Sequence, residues 1–217
     1  MKISDIIDIK TIYQDGIIPV VCLTSNNELE IFTTAIEKTG LSCVEITFRH
    51  PFAPTAVKKL KERLPHIAIG AGTILSEKLV DMAIEAGADF LVSPGTSFNL
   101  LNAAKSKGIP FIPGCSSPSE IQLALEIDFD TVKFFPAELS GGTKALSLYS
   151  GAFSNMMFIP TGGITMENID EYLKCNNVLA CGGSFMASKD DIKEKNADAI
   201  IQKISFCTDI RKKDVIK

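Results

Sequence analysis

The chain has 217 residues, 46% of them hydrophobic and 22% charged, a composition that suits one globular domain with a large core. Its net charge of −4 argues against nucleic acid or an anionic membrane as the main partner, but not against a phosphorylated small molecule, which backbone amides can bind. No apolar run is long enough to span a bilayer, and acidic residues interrupt the apolar pattern of the first ten residues, where a signal peptide would be continuous. The six cysteines are scattered without Cys-x-x-Cys spacing, which points to a reducing, cytoplasmic setting. With only two histidines, His50 and His66, a histidine-based zinc site is not expected.

Strand-length apolar runs recur in chain order at 19–24, 43–49, 68–74, 90–95, 110–115, 131–137, 157–163 and 178–184. Amphipathic stretches alternate with them at 27–40, 54–64, 76–87, 98–108, 119–127 and 166–173. In 27–40, Leu29, Phe32 and Ile36 share a face and Gly40 supplies a stop. In 76–87, Leu79, Val80, Ala83 and Ile84 do the same. The link after the sixth run is rich in Gly and Ser and reads least clearly. Segments before residue 16 and after residue 188 read as extra helices at the ends of the barrel.

Alternating βα units with near-continuous apolar strands imply a parallel sheet covered by helices. Eight units fit an α/β fold of the closed (β/α)₈ TIM-barrel type, one domain over 1–217 with no internal boundary. An open doubly wound sheet is the alternative, disfavoured because no Gly-x-Gly-x-x-Gly follows the first strand.

Polar residues on strand faces carry the chemistry. In Cys43-Val44-Glu45-Ile46-Thr47-Phe48-Arg49 the odd positions put an acid, a hydroxyl and a guanidinium on one face, opposite Val, Ile and Phe. Lys133 shares a face with Thr131 and Phe135 in the sixth run. An ammonium taken out of water must be paired, reach an edge, or give up its proton to become a nucleophilic amine. The functional reading makes Lys133 the nucleophile, Glu45 the proton carrier and Arg49 the clamp for an anionic group. The structural reading is an internal ion pair for Glu45 and a rim position for Arg49. Thr73, after Gly70-Ala71-Gly72, offers a hydroxyl at a strand end or a cap for the next helix. Thr161-Gly162-Gly163-Ile164 and Cys181-Gly182-Gly183-Ser184 end the seventh and eighth runs, where many barrels bind phosphate through backbone N–H groups. Each Gly-Gly alone also suits a tight turn.

With Glu45-Ile46-Thr47-Phe48-Arg49, Gly70-Ala71-Gly72-Thr73, Ser93-Pro94-Gly95, Lys133-Phe134-Phe135-Pro136-Ala137 and Thr161-Gly162-Gly163-Ile164 in order, residues 17–187 resemble the bacterial 2-keto-3-deoxy-6-phosphogluconate / 4-hydroxy-2-oxoglutarate aldolases. The resemblance implies a class I, metal-independent aldehyde-lyase without a cofactor, a homotrimer whose partner is a small 2-keto acid phosphate. Its products would be pyruvate and glyceraldehyde 3-phosphate, or pyruvate and glyoxylate from 4-hydroxy-2-oxoglutarate. Carried over by position, Lys133 would form the Schiff base, Glu45 would act as acid and base, and Arg49 and Thr73 would bind the pyruvate carboxylate. Gly162, Gly163, Gly183 and Ser184 would hold the phosphate, with Thr161 near the sugar hydroxyls. The galactonate epimer is an alternative substrate. A phosphosugar epimerase or isomerase, or a non-catalytic phosphosugar-binding barrel, are the competing functions. His50-Pro51-Phe52 and Cys115-Ser116-Ser117 depart from the family's pattern near the pocket mouth.

Overall fold

The computed structural model describes residues 10–215, with side chains for 12–210. The stretch 1–9, read above for its lack of a signal-peptide core, lies outside the described residues. Short α1 (Lys10–Tyr13) leads into β1 (Ile17–Val21), followed by α2 (Asn26–Thr39), β2 (Cys43–Thr47), α3 (Ala53–Arg63), β3 (Ala68–Gly72), α4 (Glu77–Glu85), β4 (Phe90–Val92) and α5 (Phe98–Lys107). Next come β5 (Phe111–Ile112), β6 (Gly114–Cys115), α6 (Pro118–Glu126), β7 (Thr131–Phe134), α7 (Gly142–Ala152) and β8 (Met157–Pro160). The chain ends with α8 (Ile169–Leu173), β9 (Cys181–Gly183), a 3₁₀ turn at Phe185–Ala187, α9 (Lys189–Lys193) and α10 (Ala197–Val215).

All strand pairings are parallel, in the orders β5-β4-β3-β2-β1-β9 and β6-β7-β8. β5 and β6 are two halves of one barrel strand, and bridges from Phe158 to Val178 and Thr161 to Gly182 close the ring between β8 and β9. The expected (β/α)₈ barrel is the fold. The fifth strand is broken because Pro113 has no N–H to give the ladder; its carbonyl accepts from Lys133 N at 2.8 Å instead. Several strands stop short of the sequence-read runs: Phe48 to Arg49, Thr73 to Ile74 and Phe135 to Ala137 lie beyond the strand ends at the mouth, although the N–H groups of Phe48, Ile74, Phe135 and Ala137 still donate to the Gly72, Val92, Cys115 and Thr161 carbonyls. The Gly/Ser-rich link is the helix α7, whose Leu146 is fully buried.

Local chemistry sets the helix limits. Ser25, Ser76 and Ser97 cap α2, α4 and α5 by accepting N–H bonds from Glu28, Leu79 and Leu100. Glu120 accepts from the N–H and hydroxyl groups of both Ser116 and Ser117 at the start of α6. α10 buries Ile200, Ile204 and Cys207 completely and packs against α2 and β1, so it forms part of the outer ring. Among the described residues no helix is long and apolar enough to cross a membrane. None of the six cysteines forms a disulfide, and burial pushes the Cys43 thiol well above its ordinary range and Cys115 up to about 12.

Two apolar layers result. Between sheet and helices lies the main core, which includes the edge-to-face rings of Phe134 and Phe158, 6.2 Å apart. Inside the barrel, Ile18, Cys43, Phe90, Val92, Ile112 and Ile159 form a floor with Ile12 and Tyr13 of α1. Because Phe158 is wholly buried against two aromatic neighbours, Phe158→Ala is expected to cost about 3–5 kcal/mol, read as a lower urea midpoint. An unchanged midpoint would show that this ring cluster contributes little to packing.

Candidate active site

Above that floor the barrel interior turns polar. Lys133 on β7 and Glu45 on β2 stand four strands apart in the eight-membered ring, on opposite walls, and their side chains meet across it. Nζ lies 3.2 Å from Oε1 and 3.4 Å from Oε2, with the two residues only 6% and 3% exposed. The Phe135 ring centroid is 5.6 Å from the same Nζ, an additional attraction for its charge. Lys133 is therefore paired and buried, and does not snorkel to an edge.

Interior glycines make room for this. Glu45 pairs with Gly70 and Thr47 with Gly72 in the β2–β3 register. A Cβ on Gly72 would lie 2.0 Å from Glu45 Oε1, and one on Gly70 would lie 2.3 Å from the Phe90 ring. Likewise a Cβ on Gly182 would meet Thr161 Oγ1 at 2.3 Å. The bare backbone opposite each large or polar side chain is what lets the site occupy the barrel axis.

The seven remaining expected residues join Lys133 and Glu45 around a cavity of about 160 Å³ at the C-terminal mouth, so that all nine line it. Arg49 lies just beyond β2, exposed at the rim, where its Nε donates to Thr47 Oγ1 at 3.2 Å; it forms no ion pair with a described residue. Thr47 in turn donates to the Val21 carbonyl at 3.2 Å. Thr73 has φ 61, a left-handed conformation that is costly for a β-branched residue, by about 1–3 kcal/mol. Ser76, not Thr73, caps α4, so the Thr73 hydroxyl is left to the cavity. Gly162 and Gly163 have φ 92 and 86, as a side chain would rarely allow. Their loop is braced: Glu138 N donates to Gly162 O at 3.1 Å and Asn168 Nδ2 to Gly163 O at 2.9 Å. A Cβ at Gly163 would strike the Glu138 side chain at 2.4 Å, so its backbone is fixed from behind as well.

Sequence reasoning did not select Val20, Thr47, Pro94, Phe135 or Ile164, which complete the lining. Thr47 and Phe135 could have been found, since they share strand faces with Glu45 and Lys133, and Pro94 and Ile164 stand in motifs that carry the resemblance; Val20 carries no signal beyond ordinary apolar character. Of the two departures at the mouth, His50 accepts the Phe52 N–H at 3.2 Å, bracing the turn before α3, and does not line the cavity. Cys115 is buried, with its Sγ 3.4 Å from the Thr96 hydroxyl.

A parallel barrel with a lysine–carboxylate pair on its axis and glycine loops after its last two strands defines a class of barrel lyases and related sugar-phosphate enzymes. Residues 9–203 match the family model for KDPG and KHG aldolase. The chain is 38% identical over 196 residues to the 2-dehydro-3-deoxy-phosphogluconate aldolase of Haemophilus influenzae, covering 90% of this chain and 92% of that one. It superimposes with a TM-score of 0.87 on the KDPG aldolase of Legionella pneumophila with pyruvate captured at low pH as a covalent carbinolamine intermediate, at 34% identity over 92% and 96% of the two chains. The Zymomonas mobilis ZM4 2-keto-3-deoxy-6-phosphogluconate aldolase with 3-phosphoglycerate gives 0.86, at 32% identity over 95% and 96%. The chain belongs to the KDPG and KHG aldolase family.

The steric relation between Gly72 and Glu45 gives a direct test. Gly72→Ala is expected to drive the carboxylate away from Lys133, visible in a crystal structure of the variant, and to lower turnover by roughly 10²-fold, the scale of one proton-transfer group. Retention of both the contact and full turnover would mean that the strand shifts to absorb the methyl.

Proposed function

We propose that this protein is a class I aldolase that cleaves 2-keto-3-deoxy-6-phosphogluconate to pyruvate and glyceraldehyde 3-phosphate, and 4-hydroxy-2-oxoglutarate to pyruvate and glyoxylate. The observation that carries the reading is the buried Lys133 Nζ held 3.2 Å from the Glu45 carboxylate at the barrel mouth. A carbinolamine is what an amine forms on adding to a carbonyl, so the covalent pyruvate adduct of the Legionella relative supports an amine nucleophile here.

In this reading Glu45 accepts a proton from Lys133, and the free amine adds to the C2 carbonyl. Glu45 returns that proton to the carbinolamine hydroxyl, which leaves as water, and the protonated imine that results draws electrons from the C3–C4 bond. Glu45 takes the C4 hydroxyl proton as that bond breaks, releasing the aldehyde. The enamine left on Lys133 is protonated at C3, and water hydrolyses the resulting imine to pyruvate and free lysine. Arg49 and Thr73 hold the carboxylate, Arg49 with its planar fork. Thr161 stands beside the sugar hydroxyls, and the N–H groups of Gly162, Gly163, Gly183 and Ser184 take the phosphate. An epimerase reading would have no use for a buried amine opposite an acid. A single domain over 1–217, a cytoplasmic location and a homotrimer belong to the same proposal. Exposed Leu75, Phe98, Leu139 and Leu148 offer apolar surface for contacts between copies.

Incubation with pyruvate and borohydride is expected to add a stable mass to Lys133, because hydride reduces the imine to a secondary amine. Lys133→Ala should abolish both this labelling and turnover. Labelling that persists on another lysine would refute the assignment. Glu45→Gln removes the proton carrier but keeps the volume, so kcat should fall by about 10²–10⁴-fold, measured as pyruvate release coupled to lactate dehydrogenase. Near-normal turnover would reduce Glu45 to an ion-pair partner.

A further inference from the structure

Beyond Ser184 the mouth continues into a second groove of about 700 Å³. It shares Val20, Arg49, Ile164 and Ser184 with the catalytic cavity, so the two spaces are continuous. The catalytic cavity alone, at about 160 Å³, is smaller than the ~300–1,000 Å³ usual for small-molecule sites, so a six-carbon phosphorylated acid would fill it and bring its phosphate to the edge of the groove.

The far wall of the groove is α9. Lys189 and Lys193 are one turn apart on it and share a face, and that face lines the groove; Asp190 and Glu194, one position further round, do not line it. Neither lysine forms an ion pair with a described residue, whereas the helix's third acid, Asp191, is turned inward to Ser188 and to Lys203, the latter at 2.6 Å. Glu28 is the acid that lines the groove, and its carboxylate is engaged by the Thr24 N–H and hydroxyl at 2.6 and 2.8 Å. Arg49, Lys189 and Lys193 thus face one acid. The glycine cradle offers N–H groups but no formal charge for a phosphate dianion, and Arg49 is committed to the carboxylate in the reading above.

We propose that Lys189 and Lys193 form an outer anion site that attracts the phosphate-bearing end of the substrate and supplies positive charge beside the Gly163–Ser184 cradle. The proposal rests on the aldolase reading and names the residues that make it selective for phosphorylated 2-keto acids. Lysine suits this role as a mobile point charge that needs no fixed geometry.

The test compares 2-keto-3-deoxy-6-phosphogluconate with 2-keto-3-deoxygluconate, which differ only in the phosphate. In the double variant Lys189→Gln/Lys193→Gln, kcat/KM for the phosphorylated substrate should fall roughly tenfold, mostly through KM, with the unphosphorylated substrate unaffected. The preference of the unaltered protein should also shrink with added salt more steeply than that of the variant, since the groove is open to solvent. An unchanged preference, or equal loss on both substrates, overturns the outer site while leaving the aldolase reading intact. Absence of pyruvate release from the unaltered protein would instead sink the aldolase reading. In that event calorimetric titration of both proteins with inorganic phosphate still decides: roughly tenfold weaker binding by the variant supports the site, and equal binding overturns it.

Discussion

The contact between Lys133 and Glu45 is the constraint around which the barrel interior is arranged. Two charges 3.2 Å apart and almost wholly excluded from solvent are stable only together, because either one alone would be an unpaired charge in an apolar surrounding. The pair can form only if two opposite strands aim long side chains at the axis at the same height. That height is fixed by parallel register, Glu45 against Gly70 and Lys133 against Gly114 and Ile159. Replacing the pair by apolar residues of similar volume would cost the fold little, so stability alone does not account for it, whereas the proposed chemistry does.

The rest of the interior follows from that demand. A floor of Phe90, Ile18, Ile112 and Ile159 closes the barrel below the pair and keeps water from reaching it from that side. Above it, side chains cannot all be large, so Gly72 and Gly182 give their space to Glu45 and Thr161. Strain concentrates in the same layer: Thr73 is held at φ 61 while its carbonyl-side neighbours enter the loop to α4. Rigid strands thus deliver Lys133 and Glu45 to the axis, and loops braced by Glu138, Asn168 and Ser76 shape the space around them.

Much of this was legible in the sequence because strand residues alternate. Period-two reading put Glu45 and Arg49 on one face and Lys133 among apolar neighbours, and the positions of the Gly-Gly pairs at two strand ends marked the mouth. What was not legible depends on three-dimensional proximity or on small local effects. In the apolar run 110–115 Pro113 is a sign of interruption that period-two reading passes over, and which half pairs with which neighbour is set only by the assembled ladder. The Gly/Ser composition of 142–152 argues for a loop, yet tertiary burial of Leu146 holds it as α7. Thr47 was seen as a face residue, but its role as the brace of Arg49 requires the turn after β2, which strand periodicity does not describe.

The closing segment shows how far the site extends beyond its chemical centre. α10 packs on α2 and β1, which ties the carboxyl-terminal part of the chain to the first βα unit and fixes the position of α9 just before it. The capping box of Ser188 and Asp191, with Lys203 of α10 on the same carboxylate, orients α9 so that one side carries Lys189 and Lys193 toward the groove. A helix of one and a half turns would not hold such an orientation by itself, since isolated helices of this length are unstable. The cation face at the mouth is therefore a consequence of tertiary anchoring from α10. The segment that completes the outer ring also sets the charge along the groove at the mouth.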